Sequence, residues 1–472
     1  MGVRFMKGRT IAITIVVVLV VLVGGIFFVG AQKGKPITAN TTEGKVAQII
    51  KNNQCLSCHS TNPEGVWYEN FPIISGIIET DRTNSLRYID LEAVVKQLEA
   101  GEQVSQVDLA KIEQSMLNES MPKANYKFMH WGTGYNDEEK DIITEWVQTT
   151  RATHYSNGLA VAEFANDAVS PLPDSVPYDE AKAALGLKLY HDTRLSADNT
   201  VACATCHVLN TGGVDNLKFS EGIDGQFGGI NAPTVYNASY NIQQFWNGRA
   251  ADLQEQAAGP PLNPVEMGST DFNQIIEKLQ KDTGYVDEFA AIYGSEGITQ
   301  NSITDAIAEF EKTLITPNSR FDQYLKGDTN ALSADEIAGY ELFKENNCAT
   351  CHVGPSMGGQ SFEYLGITAD YYADRGTEIS ADDEGLFGFT NNESDKYKFK
   401  TPSLRNIELT APYFHDGSQE TLDAAVKAMF KYQLNKPSPN QGDVDKIVLF
   451  LKTLTGENEF MSYDSLANLI KP

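Results

Sequence analysis

The sequence predicts an all-α fold: three small helical haem domains of class I cytochrome c type behind an N-terminal transmembrane helix. Three observations carry this. Cys-x-x-Cys-His stands at Cys55-Leu-Ser-Cys-His59, at Cys203-Ala-Thr-Cys-His207 and at Cys348-Ala-Thr-Cys-His352, and together these use all six cysteines. Apolar residues at helical spacing flank the copies. An uncharged run of 23 residues, Thr10 to Gln32, follows Arg4, Lys7 and Arg9 and is long enough to cross a bilayer.

Cys-x-x-Cys-His is the attachment signal of c-type haem. Two sulfurs about a helical turn apart form thioethers with the two vinyl groups of one porphyrin. The next residue then places an imidazole under the iron. Zinc needs four ligands, and His fused to the second Cys gives an awkward bite for a tetrahedron. Iron–sulfur clusters want four thiolates at another spacing. Three covalently bound haem c groups are therefore expected, on Cys55 and Cys58 with His59, on Cys203 and Cys206 with His207, and on Cys348 and Cys351 with His352.

The chain of 472 residues is long enough for about three domains, and 41 % hydrophobic residues supply their cores. A formal charge of −26 argues against nucleic acid or an anionic membrane surface as partner. The positive flank of the apolar run predicts an inner-membrane, single-pass anchor with everything after Lys33 on the periplasmic side. Val29-Gly-Ala31 is also a passable cleavage site for a signal peptide. The expected divisions are residues 1–33 as cytoplasmic N-terminus and anchor, 44–152 as the N-terminal cytochrome c domain and 153–177 as linker. Residues 178–328 then carry the second haem and 329–472 the third.

In the first haem segment a short helix over 45–52 runs into Cys55. Asn136-Asp-Glu-Glu caps a closing helix with Ile142, Ile143, Trp146 and Val147 on one face. The sixth iron ligand should lie between these elements. Met121, followed by Pro122, is the first choice; His130 is the alternative, because Met121, Tyr126 and His130 also resemble the pattern of a family of small haem-binding domains. Met116 and Met129 are expected in the core. Pro171, Pro173 and Pro177 mark the linker, and a helix over 181–190 leads towards the second motif. From Val208 to Asn347 the chain then holds no His and a single Met, Met267. A low-spin haem needs two strong ligands, so the middle iron is expected to keep an open position unless Met267 or a distant residue fills it. Before the third motif, Ser333 and Glu336 form a capping box, and Ile337, Tyr340 and Phe343 face inward. Of the later donors, Met357 lies too close to His352 in sequence, and Met429 sits on a helical segment suited to an axial ligand.

From residue 178 to 456 the chain is similar to the bacterial dihaem cytochrome c peroxidases. The likeness rests on Leu195-Ser196, Thr211-Gly-Gly213, Asn231-Ala-Pro-Thr-Val-Tyr-Asn237, Gln244-Phe-Trp-Asn-Gly-Arg-Ala250, Ser403-Leu-Arg-Asn-Ile407 and Leu409-Thr-Ala-Pro-Tyr-Phe-His415. With the extra N-terminal motif and the apolar run, the whole resembles the membrane-bound three-haem quinol peroxidases. The resemblance implies hydrogen peroxide reduction at the middle haem, with Glu266 as distal acid–base and Gln256 as distal hydrogen-bonding group. It places Trp246 between two haems, Met429 as axial ligand of the third haem with His415 in support, and calcium at Asn231, Thr410 and Pro412, the last through its carbonyl. It implies membrane quinol or a small cytochrome c as electron donor, and it allows a homodimer. One departure stands out: where many members carry a distal His that blocks the resting iron, this chain has Ile223.

Two other functions fit parts of the pattern. A non-enzymatic multihaem electron carrier would need a sixth ligand on the middle haem. The related dihaem enzymes that mature a protein-derived cofactor carry Tyr where Met429 stands.

Overall fold

The computed structural model describes residues 36–462 apart from 64, 66–68, 70, 73 and 130–132. It falls into two compact units, residues 1–150 and 151–472.

In the first unit α1 (Thr42–Asn52) starts at Thr41, whose hydroxyl accepts from Gly44 N–H. Val46, Ile49 and Ile50 turn one face inward and pack against α2 (Leu91–Ala100), which buries Leu91, Val94, Val95 and Leu98. Asp90 caps α2 through Glu92 N–H and Ala93 N–H. The His59 carbonyl accepts from Leu91 N–H at 3.0 Å, so the motif is tied to the start of that helix. Asn136 and Glu139 bond reciprocally at the head of α3 (Asp137–His154), and Glu139 Oε1 also accepts from Asn53 Nδ2 at 3.1 Å.

The second unit repeats one device. Helix α4 (Glu180–Tyr190) lies against α5 (Gln300–Thr313), and α6 (Ala334–Glu345) lies against α7 (Gln441–Lys452). Gly186 lets the first pair close: a Cβ there would sit 1.9 Å from Ala306 O and 2.7 Å from Phe310 Cβ. Gly339 does the same for the second, at 2.0 Å from Lys446 O and 2.9 Å from Phe450 Cβ. Around the first pair Leu185, Leu189, Ile275, Phe289 and Ile307 form one core. Around the second, Phe321, Tyr340, Phe343 and Phe450 pack edge-on or tilted with ring centroids 4.9–5.4 Å apart.

Between the halves, Asn237 and Asn406 both take left-handed backbone, at φ 62° and 60°. Both side-chain amides donate to the Thr316 hydroxyl, at 2.9 and 3.0 Å, and Thr316 N–H donates to Asn237 Oδ1 at 3.0 Å. Arg405 is wholly buried beside Asp322 at 2.9 Å and also donates to Pro355 O, Ser319 Oγ and Ser170 O. Residues that sequence reading treats as landmarks thus hold the unit together.

The fold-class expectation needs correction on several counts. The protein is mostly helical, but β1 (Phe362–Tyr364) and β2 (Lys398–Lys400) pair antiparallel, with Phe362 opposite Lys400. Aromatic residues favour this pleated pairing, and three-residue strands are too short to show a period of two. There are two compact units where three cytochrome c-like domains were expected. Among the described residues no helix is long and apolar enough to cross a membrane; α3, the longest at 18 residues, carries Asp, Glu, Lys and Arg along its length. The single-pass inner-membrane placement is accordingly withdrawn, and the apolar run from residue 10 to 32 lies outside the described residues.

Gly186→Ala and Gly339→Ala place a methyl against backbone rather than a movable side chain. Each is expected to destabilise the fold by about 1–3 kcal/mol, the scale of overpacking, seen as a lower urea midpoint; an unchanged midpoint would mean the helix pairs have room to spare.

Candidate functional site

Each Cys-x-x-Cys-His motif forms a single turn in which the His N–H donates to the carbonyl of the first Cys, at 3.0 Å for His59 and His207 and 3.1 Å for His352. The six thiols are half-buried and form no disulfide with one another, as two-point attachment requires. His59 Nδ1 faces Ile89 O at 3.1 Å and His352 Nδ1 faces Met357 O at 3.0 Å. An Nδ1–H donated to a carbonyl leaves the Nε2 lone pair for a metal. Burial lowers all three imidazole pKa values, that of His352 to about 4, so the rings are neutral ligands at pH 7. His207 Nδ1 makes no well-aligned hydrogen bond among the described residues, though the carbonyls of Gly213 and Pro233 stand beside the ring, while Tyr190 Oη donates to the His207 carbonyl at 2.6 Å. These donor sets fit haem.

Around the middle motif the structure gathers several titratable groups. Glu266 is pushed upward by burial, against the pull of Arg249 and of Asn263, whose Nδ2 donates to Glu266 Oε1 at 2.7 Å. Its charge acts on the thiols of both Cys203 and Cys206, so it stands within electrostatic reach of the attachment site. The backbone of Glu266 is held by the loop that carries Ile223: Ile223 N–H donates to Glu266 O at 2.8 Å. A Cβ at Gly222 would meet Val265 O at 2.1 Å and Glu266 O at 2.7 Å, so only glycine permits this approach. Ile223 itself is buried, its side chain against Gly268. Gln256 is half-buried on α-helical residues Leu253–Ala257, and no hydrogen bond joins it to Glu266 among the described residues. Met267 packs in the apolar cluster with Leu195 and Phe272. Glu311, which sequence reading missed, is pushed up to about 8 by burial and acts on Cys203 and Tyr190.

Trp246 Nε1–H donates to Asn231 O at 2.9 Å, and Asn231 N–H donates to His415 O at 2.7 Å. His415 stacks on Phe399 at 4.1 Å and meets Trp246 edge-on at 6.5 Å. His415 Nε2 lies 2.9 Å from Asp383 Oδ1. Burial works to raise the Asp383 carboxyl, but Arg375, Ser380 N–H and His415 outweigh it and hold it well below the usual carboxylate range. An ionised carboxylate only accepts, so His415 Nε2–H is the donor. Arg375 bridges Asp383 at 2.6 Å and Asp416 at 3.0 Å, and Tyr371 Oη donates to Asp416 at 2.8 Å. Asp383, His415 and Asp416 lie close enough to hold a metal, yet Arg375 already engages both carboxylates, which makes the cluster an ion network. Asp383 and Arg375 lie 32 and 40 positions before His415, with no local pattern to announce them.

Met429 is half-buried on α8 (Leu422–Tyr432). Met121 is half-buried ahead of Pro122; His130 lies outside the described residues, and Met116 is buried on the helix Gln106–Leu117. Asn231 turns its Nδ2 to Leu217 O and Lys218 O, leaving Oδ1 free of a hydrogen bond among the described residues. Asn216 Nδ2 holds Leu409 O at 2.8 Å and Ala411 O at 2.9 Å, which shapes the Thr410–Pro412 turn. Neutral oxygens of this kind suit a hard cation.

The family profile described as di-haem cytochrome c peroxidase matches residues 180–330, and one described as haem-binding domain matches residues 22–149. The chain is 48 % identical over 419 residues to cytochrome c peroxidase Ccp of Escherichia coli (strain K12), covering 89 % of each. It is 48 % identical over 294 residues to cytochrome c551 peroxidase of Nitrosomonas europaea, covering 62 % of this chain and 85 % of that one. Among solved structures, a MauG-like protein associated with microbial copper homeostasis aligns with TM-score 0.55 and 29 % identity over 63 % of this chain and 95 % of its own. These matches also correct the expectation of three like domains: the peroxidase family is di-haem, and the first motif falls in a segment that a different profile matches.

Asp383→Asn removes one charge from a buried network while Arg375 keeps Asp416. Stability at pH 7 should fall by about 3 kcal/mol, the lower end for breaking a buried pair. The native carboxyl titrates below its unfolded value of about 3.9, so its contribution is present above that pH and is lost as the pH falls through the folded value. The gap between native protein and variant should thus narrow below about pH 4 in urea unfolding; a gap independent of pH would contradict an ionised Asp383.

Proposed function

Given that the chain belongs to the di-haem cytochrome c peroxidase family and is therefore a peroxidase, we propose that it reduces hydrogen peroxide to water at the haem held by Cys203, Cys206 and His207. The observation that carries this is Glu266, a half-buried carboxyl with a raised pKa within electrostatic reach of both thiols of that motif. A haem held there by Cys203, Cys206 and His207 would supply the redox chemistry of peroxide cleavage. Asn263 occupies Glu266 Oε1, so Oε2 is the atom that takes the proton from peroxide and returns it to the departing oxygen. Arg249 keeps that carboxyl from being locked in its protonated form, since its positive charge favours the carboxylate. Gln256 orients the peroxide. Ile223 has no donor atom, and its loop is fastened to the Glu266 backbone, so the middle haem is ready in its oxidised form.

In the finer reading each of the three motifs holds a covalent haem, the first and third relaying electrons. The haem-binding profile over residues 22–149 supports the first of these. Met121 and Met429 would supply thioether donors to those two haems, and Asn231, Thr410 and Pro412 would hold calcium. Trp246 lies on the electron path between those two. The setting is periplasmic and the donor is a small cytochrome c or a quinol; the relative from Nitrosomonas europaea, named a cytochrome c551 peroxidase, supports the first donor.

Glu266→Gln should keep its haems and slow peroxide turnover by about 10²–10⁴-fold. In the native protein kcat/KM should fall on the acid side with a midpoint above the ordinary glutamate value, because only the carboxylate accepts the proton, and the variant should lose that limb. Near-normal turnover with the limb intact would assign the proton transfers to another group.

A further inference from the structure

Among the described residues, Lys400 is a buried cation of the second unit that neither the network around Arg375 nor the Arg405–Asp322 pair absorbs. Its side chain is 6 % exposed, and among the described residues its ammonium has neither a hydrogen bond nor an ion pair. Lys398, two residues earlier on the same strand face, pairs with Asp395 at 3.0 Å. The carboxylates of Asp383 and Asp416 are engaged by Arg375. An unpaired ammonium in a dry interior is strongly unfavourable and calls for an anion; burial alone lowers the Lys400 pKa to about 7.

The position of the strand says which anion. Lys400 N–H donates to Trp246 O at 2.9 Å. The preceding Phe399, on the opposite face, stacks on His415. Two residues further on, the Pro402 carbonyl stands beside the His352 imidazole, and Thr401 N–H is fixed to Ser361 O at 2.9 Å. The chain from Lys400 to Pro402 therefore runs from Trp246 to the histidine of the third motif, and among the described residues no carboxylate pairs with Lys400. The group that brings carboxylates into this unit is haem, whose thioether edge is fixed by the cysteines and whose propionates leave at the other edge.

We infer that Lys400 receives a haem propionate beside Trp246 and so fixes the orientation and the reduction potential of that haem. The shared chemistry is a porphyrin carboxylate, from the haem of the third motif or of the second. The inference rests on the haem-bearing reading of the motifs and not on the identity of the electron donor. A positive charge held against a propionate favours the reduced iron, because the added electron then enters a less negative surrounding.

The test is a spectroelectrochemical titration of the full-length holoprotein and of Lys400→Met, Lys400→Gln and Lys400→Arg. Haem content, read separately by pyridine haemochrome, checks the haem-bearing reading itself. Loss of the cation should shift the reduction equilibrium of one haem about tenfold towards the ferric form, which is a fall of about 59 mV for one electron, while Lys400→Arg keeps the native value. The haem that moves identifies the source of the carboxylate. Unmoved potentials in a folded, fully haem-loaded Lys400→Met or Lys400→Gln protein overturn the inference. An equal fall in Lys400→Arg overturns it as well, since packing and not charge would then be responsible.

Discussion

Thr316 holds the two halves of the C-terminal unit in one register. Its hydroxyl takes a hydrogen bond from Asn237 on one side and from Asn406 on the other, and its N–H returns one to Asn237. Asn406 also fixes the segment that follows α7, accepting from Gly456 N–H and donating to Leu454 O. Thr316, Asn237, Asn406 and Leu454 are buried, so each polar group is satisfied only while the others are in place. The helix pairs closed by Gly186 and Gly339 stand on either side of this node. The two attachment motifs of the unit hang from those pairs, which makes the spacing between them a property of the junction and not of any flexible loop.

The charges of the unit follow from that rigidity. The chain as a whole carries −26, yet its interior sets cations where carboxylates are needed or brought: Arg405 on Asp322, Arg375 between Asp383 and Asp416, Arg249 near Glu266. Glu266 differs from Asp322, Asp383 and Asp416 in having no direct ion pair, only an amide and a more distant guanidinium. Its carboxyl is therefore raised where that of Asp383 is depressed. Their partners thus set the two acids apart: the Asp383 carboxyl stays an anion that accepts from His415, and the Glu266 carboxyl is raised above the ordinary glutamate value.

The sequence discloses what is written in adjacent residues. Five-residue motifs announced the attachment turns, the Ser333 and Glu336 box announced its helix start, and Asn136 announced another. The family landmarks led to Glu266, Trp246 and Asn231, although the structure explains several of them, Asn237, Arg405 and Asn406 above all, by buried hydrogen bonds. Groups joined only by folding stayed hidden. Asp383 and Arg375 meet His415 across more than thirty residues, Glu311 is one acid among many on an amphipathic helix, and Lys400 sits in a strand of three residues. The two-stranded sheet escaped a helix-only reading for the same reason, since its partners are separated by a long insertion.

The proposed reaction requires an open iron at the middle motif near Glu266, with Ile223 unable to block it. The most direct measurement is electron paramagnetic resonance of the fully oxidised protein, followed by rapid mixing of that same protein with peroxide. A high-spin ferric haem that reacts with peroxide at once, without prior reduction, is the predicted result. Ferric haems that are all low-spin, with reactivity appearing only after partial reduction, would contradict it.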